Sequence, residues 1–218
     1  MPMASRLLPV LIALLALVPA IALAAPAAPA PLVEGQDYVV IENGTPYAPL
    51  KGKVEVVEVF GYTCVHCAHF EPTLAAWKKT LPRDVRLTPV PAAFGGYWIP
   101  YARAFFTARQ FGVQERTHQA VFDALHKSGA LPIQNVSPDE IAGFYAGYGV
   151  DRAKFSAALR SEQVDRQLEH ARTWAMAVGV EGTPTMIVNG KYRVIGGRTY
   201  SDMLKIVDRL VARERTRK

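Results

Sequence analysis

The chain has 218 residues, 50% of them hydrophobic, a formal net charge of +6 and two cysteines. That length suits one compact domain, or one domain with a sizeable insertion, and leaves room for a real core. The basic excess is dispersed apart from a modest cluster at Arg209, Arg213, Arg215, Arg217 and Lys218. No aromatic residues are interleaved with that cluster, so it reads as a solvated helix end and frayed tail and not as a nucleic-acid site.

The chain opens with Arg6 and an apolar run from Leu7 to Ala25 that ends in the small residues Ala22-Leu23-Ala24-Ala25. This is the layout of a secretory signal peptide over residues 1–24, cut near Ala24. A retained membrane anchor is the alternative, and Pro19 and the missing positive cluster after the run weigh against it. Residues 25–31 are only Ala and Pro, an extended leader. Export places the mature chain in an oxidising compartment, where disulfides form and persist.

After the turn residues Glu34-Gly35-Gln36-Asp37, the run Tyr38-Val39-Val40-Ile41 predicts a short strand. Val54-Glu55-Val56-Val57-Glu58-Val59-Phe60 is almost wholly apolar, as expected of a strand covered on both faces. Glu58 is out of place in it. The next stretch holds both cysteines, Cys64 and Cys67, and begins a helical stripe of Cys67, Phe70, Leu74 and Trp77 with Pro72 as an expected kink. Val85 to Val90 predicts another strand, with Pro89 marking an edge, a bulge or its last residues.

Residues 100 to 178 are patterned as helices. Pro100 suits a first helical position, followed by a buried stripe of Ala104, Phe105, Ala108 and Phe111. A second helix buries Val113, Thr117, Val121 and Leu125. Ser137-Pro138-Asp139-Glu140 is a capping box ahead of Ile141, Phe144, Tyr145 and Tyr148. Asp151 caps a short helix with Phe155 and Leu159, and the last stripe is Val164, Leu168, Ala171, Ala175 and Val178. Asn189-Gly190 between Thr185-Met186-Ile187-Val188 and a strand over residues 191–195 is a hairpin signal. A final helix starts near Ser201 and buries Leu204, Val207 and Leu210 or Val211. The order of elements is α/β, with the extra helices inserted in the middle.

Two cysteines two residues apart make a poor staple, since a ring this small gains only about 2 kcal/mol in the loop-entropy model. Their role is read as chemical. At a helix N-terminus, unpaired backbone N–H groups and the positive dipole end favour a thiolate at Cys64, and the His66 ring is placed to add a hydrogen bond or charge. A stabilised thiolate favours the dithiol and makes the disulfide oxidising. Zinc is a competing reading of Cys64, Cys67, His66 and His69, but a second ligand pair would have to come from elsewhere. His118, His126 and His170 lack pair spacing, and like His69 they read as helix-surface residues. Ala68 excludes a C-x-x-C-H haem attachment.

A strand ending at Phe60, Cys64-Val65-His66-Cys67 opening a helix, and Gly182-Thr183-Pro184 before a hairpin resemble the thioredoxin fold. The helical block, the Glu34-to-Tyr38 segment and the signal peptide make the chain similar to the DsbA-type periplasmic thiol:disulfide oxidoreductases. The resemblance implies a thioredoxin-like mixed sheet from residues 32–97 and 176–218, with an all-helical insertion over residues 98–175. It implies Cys64 as nucleophile, Cys67 as buried resolving cysteine and Pro184 as a cis-proline facing them, with Val65, Thr183 and Gly182 contacting clients. It implies a monomer that oxidises newly exported proteins without metal or organic cofactor and is re-oxidised by a DsbB-type membrane quinone reductase. Glu58 matches a buried acidic residue that handles the proton of the buried cysteine, but the lysine it faces in the family is Pro89 here. Whether Glu58 is buried or turned to a solvated edge stays open. The other functional readings are a disulfide isomerase or reductase and a client-binding chaperone without redox chemistry.

Overall fold

The structure is a computed structural model and describes residues 30–216. The signal peptide expected over residues 1–24 and most of the leader lie outside the described residues. Five strands form one sheet: β1 (Tyr38–Val40), β2 (Val54–Phe60), β3 (Val85–Pro91), β4 (Thr185–Val188) and β5 (Tyr192–Val194), in the order β1-β5-β4-β2-β3. Only β2 and β3 pair in parallel, and the remaining pairs are antiparallel. Helix α1 (Val65–Lys78) connects β2 to β3. Five helices lie between β3 and β4: α2 (Trp98–Gln110), α3 (Gln114–His126), α4 (Pro138–Ala146), α5 (Arg152–Leu159) and α6 (Glu162–Ala177); α7 (Tyr200–Arg215) ends the chain. None of the helices among the described residues is long and apolar enough to cross a membrane.

The two faces of the sheet pack against different helices, which is why β2 is buried along its whole length. Val57 and Val59 join Phe105, Phe122, Tyr145 and Phe155 of the helical block. Val54 and Val56 join Phe70 and Leu74 of α1 and Leu204, Val207 and Leu210 of α7. Alternation of side chains along a strand sends successive residues to opposite cores, so an apolar run is needed on both phases. Pro89 and Pro91 are tolerated because β3 is an edge strand, where a missing N–H costs no ladder bond on the open side.

Several local rules hold as read. Ser137 and Glu140 form the reciprocal capping box, Asp151 accepts from the Lys154 N–H, and Asn189 and Gly190 both take positive φ in the hairpin turn. Others shift. α2 begins at Trp98, so Pro100 is its third residue and not its first; it is still inside the first turn, where N–H groups have no intrahelical acceptor. α7 begins at Tyr200 because Thr199 caps it through the Asp202 N–H. The C-terminal cations are not merely solvated: Arg213 donates to the Tyr38 hydroxyl at 2.8 Å, and Arg215 pairs with Asp84 at 2.8 Å.

Candidate active site

Cys64 is the N-cap of α1, in extended conformation, and Cys67 lies one turn inside it. Both are thiols. Their surroundings are opposite: Cys64 is half-buried among the exposed residues Val65 and His66, whereas Cys67 is 0% exposed. The loop before β4 faces them. The Thr183–Pro184 peptide is cis, and the Cys64 Sγ lies 3.5 Å from the Thr183 carbonyl. Thr185 Oγ1 donates to the Gly182 carbonyl at 2.8 Å, which closes that loop, and the Tyr200 hydroxyl donates to the His66 carbonyl at 3.0 Å from α7.

This geometry separates the two proton affinities. A hydrogen bond from the Cys67 thiol is the largest influence on Cys64 and lowers its pKa to about 5, against partial burial; the Thr183 side chain and the backbone N–H groups of Cys67 and His66 add to the lowering. His66 contributes its backbone N–H to Cys64 and is itself exposed. Burial pushes the Cys67 thiol far up, helped by the hydrogen bond it gives to Cys64 and by the Glu58 charge. One cysteine is held as an anion and its neighbour as an acid.

The open question about Glu58 has a definite answer. β2 is central, Glu58 is 1% exposed and it faces Pro89 across the parallel pair. Its Oε2 has no hydrogen-bond partner, and burial followed by the neighbouring Glu71 and Cys64 raises its pKa well above the usual carboxylate range. Glu55, the other acid of β2, is fully buried but satisfied by Arg86, Thr88 and the Tyr47 N–H. A groove of about 1150 Å³ beside the β3 edge is lined by Glu58, Glu71, Pro89, Gln114 and His118.

Two histidines are not where surface patterning puts them. His118 Nδ1 lies 2.7 Å from the Tyr62 hydroxyl and its Nε2 3.4 Å from Glu71. The His126 Nε2–H donates to the Tyr62 carbonyl at 2.7 Å, so both rings lie behind the segment that leads into Cys64. His69 and His170 are exposed, as expected. Among the described residues no group of three or more His, Cys, Asp or Glu converges for a metal. Glu71 and His118 were missed. Glu71 was legible as the residue one turn beyond Cys67 on the same face of α1; His118 had only its place between Gln114 and Phe122 at helical spacing as a signal.

A dithiol at the start of the helix after a central strand, one thiol exposed and one buried, faced by a cis-proline loop, defines a thiol oxidoreductase of the thioredoxin fold. A thioredoxin family model matches residues 44–209. The thiol:disulfide interchange protein DsbA of Pseudomonas aeruginosa is 42% identical over 183 residues, 83% of this chain and 85% of that protein. The Azotobacter vinelandii protein of the same name is 41% identical over 190 residues, 86% of this chain and 87% of its own length. The crystal structure of the oxidoreductase DsbA from Xylella fastidiosa superposes with a TM-score of 0.83 at 52% identity, covering 85% of this chain and 98% of that one. The chain belongs to the DsbA family, and its activity is thiol:disulfide interchange.

Proposed function

We propose that the protein works as a disulfide donor to newly exported proteins in the periplasm. The single observation that supports this direction is the lowered pKa of Cys64, about 5, beside a buried Cys67. A stabilised thiolate favours the dithiol and makes the disulfide oxidising, and it makes Cys64 a good leaving group. In the reaction a client thiolate attacks the Cys64 sulfur, the Cys64–Cys67 bond breaks and Cys67 leaves with its electron pair and takes a proton. A second client thiolate then attacks the client sulfur of the mixed disulfide and expels the Cys64 thiolate. The client leaves oxidised by two electrons, and the enzyme is left as the dithiol.

In this reading Cys64 is the nucleophile and leaving group, Cys67 the resolving thiol and Glu58 the group that exchanges the Cys67 proton. His66 supplies its amide to Cys64. Pro184, Thr183 and Gly182 form the loop that receives an extended client segment beside Val65, which is 45% exposed. The redox centre is the cysteine pair itself, with no metal or organic cofactor. A DsbB-type membrane quinone reductase re-oxidises it, nucleic acid is not a partner, and the protein acts as a monomer. The chain divides into a signal peptide cleaved near Ala24, a leader to residue 31, a thioredoxin-like part over residues 32–97 and 176–218, and a helical insertion over residues 98–175.

Equilibrium of the Cys64–Cys67 pair against glutathione, with thermal stability of both forms, tests the direction. A potential near about −120 mV, the value characteristic of DsbA proteins, with a more stable dithiol form is the expected result. A potential near about −270 mV would instead identify a reductant.

A further inference from the structure

Interconversion of the disulfide and the dithiol adds or removes one proton at Cys67, which is fully buried. Glu58 couples to Cys67 electrically, and is itself 1% exposed with a partnerless Oε2. A proton accepted by Glu58 has to go further. β3 offers no cation at this register, because the residue opposite Glu58 is Pro89.

α3 supplies a different group. Glu71, one turn beyond Cys67, is 8% exposed and its Oε2 lies 3.4 Å from His118 Nε2. The Gln114 amide nitrogen, which can only donate, sits 3.1 Å from His118 Nδ1, and the Tyr62 hydroxyl sits 2.7 Å from the same atom. Nδ1 is therefore the acceptor, and Nε2 carries the proton that faces Glu71. Glu58, Glu71, Gln114 and His118 all line the same groove, which opens to solvent. The titratable groups facing His118 are Glu71 from α1, Tyr62 from the segment between β2 and α1 and, across the groove, Glu58. The groove also carries Lys78, Lys79, Arg86 and Arg109; Lys78 pairs with Glu115 and Arg86 with Glu55.

We propose that His118 is a positioning residue for proton exchange at Cys67: its Nε2–H faces the Glu71 carboxyl at 3.4 Å and offsets the repulsion between Glu71 and Glu58, while Glu58 exchanges the Cys67 proton with groove water. The inference rests on the reading of Glu58 as the base for Cys67. In disulfide closure, Cys67 S–H gives its proton to the Glu58 carboxylate and its electron pair to the new bond with the Cys64 sulfur, while the thiol bonded to Cys64 departs as a thiolate. Glu58 then releases the proton to water in the groove that it lines. Glu58 and His118 end as they began, and the protein has lost the one proton that Cys67 carried. Without the His118 N–H beside Glu71, repulsion between the two carboxylates is uncompensated, and Glu58 becomes a base only at higher pH.

The test uses the reduced full chain mixed with glutathione disulfide, quenched in acid and resolved by mass spectrometry. The closure rate of the protein–glutathione mixed disulfide is followed from about pH 5 to about pH 9. His118→Gln is expected to move the midpoint of that profile up by about one pH unit, slow closure about tenfold on its acid side and leave the alkaline plateau intact. The ultraviolet titration of the Cys64 thiolate is expected to stay in place. A profile that coincides with the parent, or a slowing by the same factor at every pH, overturns the proposal. Glu71→Gln is expected to move the midpoint down, with His118→Gln adding nothing on that background. An unmoved midpoint in Glu71→Gln overturns the proposal even if His118→Gln does not fold. Glu58→Gln separates the two readings: if it leaves closure unchanged the Glu58 reading fails, whereas if it slows closure and His118→Gln does not, only the present inference fails.

Discussion

The depressed proton affinity of Cys64 has a consequence for stability that is separable from turnover. The folded dithiol holds Cys64 with a pKa of about 5, against 9.0 for an ordinary cysteine. A group that is more acidic when folded contributes stability that is complete above the unfolded value and is lost as pH falls through the folded value. Each tenfold change in proton affinity is about 1.4 kcal/mol, so the whole difference is about 5 kcal/mol before solvent is considered. Cys64 is only half-buried, and screening cuts this by about half, to ~2–3 kcal/mol above pH 9 and ~1 kcal/mol at pH 7. Urea unfolding of the dithiol form and of Cys64→Ala across this range isolates the contribution as their difference. That difference is expected to grow from near zero at about pH 5 to its full value at about pH 9. A difference that stays flat with pH would refute the assignment of the stabilised thiolate to Cys64, whatever its absolute size.

Glu58 carries the opposite sign. Its carboxyl binds its proton more tightly when folded, so it costs nothing below the ordinary value of 4.5 and destabilises increasingly above it. Glu58→Gln is expected to raise stability at pH 7 by ~1 kcal/mol, with the gain vanishing in acid, as read by urea unfolding at the two pH values. Gly61 lies against the Trp98 ring, and a Cβ there would sit 2.0 Å from a ring carbon. Gly61→Ala is expected to cost ~1–3 kcal/mol and to shift tryptophan emission, and unchanged emission with unchanged stability would show that Trp98 is free to move aside.

What could be read in advance divides by the range of the interactions involved. The capping box at Ser137 and Glu140, the cap at Asp151 and the Asn189-Gly190 turn are each completed within a few residues of sequence, and all are present. The buried run of β2 announced a strand covered on both faces for the same reason: its composition needs no partner to be known. Glu58 could not be settled this way, because burial of a strand residue depends on whether another strand lies beyond it, and β4 pairs with β2 only after the whole helical block. His118 failed more completely. Its surface reading used the pattern of α3 alone, whereas its partners include Tyr62 and Glu71, contributed by the segment between β2 and α1 and by α1 itself.

That placement accounts for the asymmetry on which the chemistry depends. Unpaired N–H groups of a helix lie at its beginning and point out of it, so the residue at the N-cap receives them. Cys64 takes the amides of His66 and Cys67 in this way. Cys67, three residues later, is carried by the turn of the helix onto the face that packs against the sheet, where burial and the Glu58 charge act on it. A spacing of two residues thus puts one sulfur among donors and the other against a buried acid. Breaking the disulfide leaves a negative charge that the first position stabilises and requires a proton that the second position cannot draw directly from solvent. The driving force for disulfide donation therefore resides at Cys64.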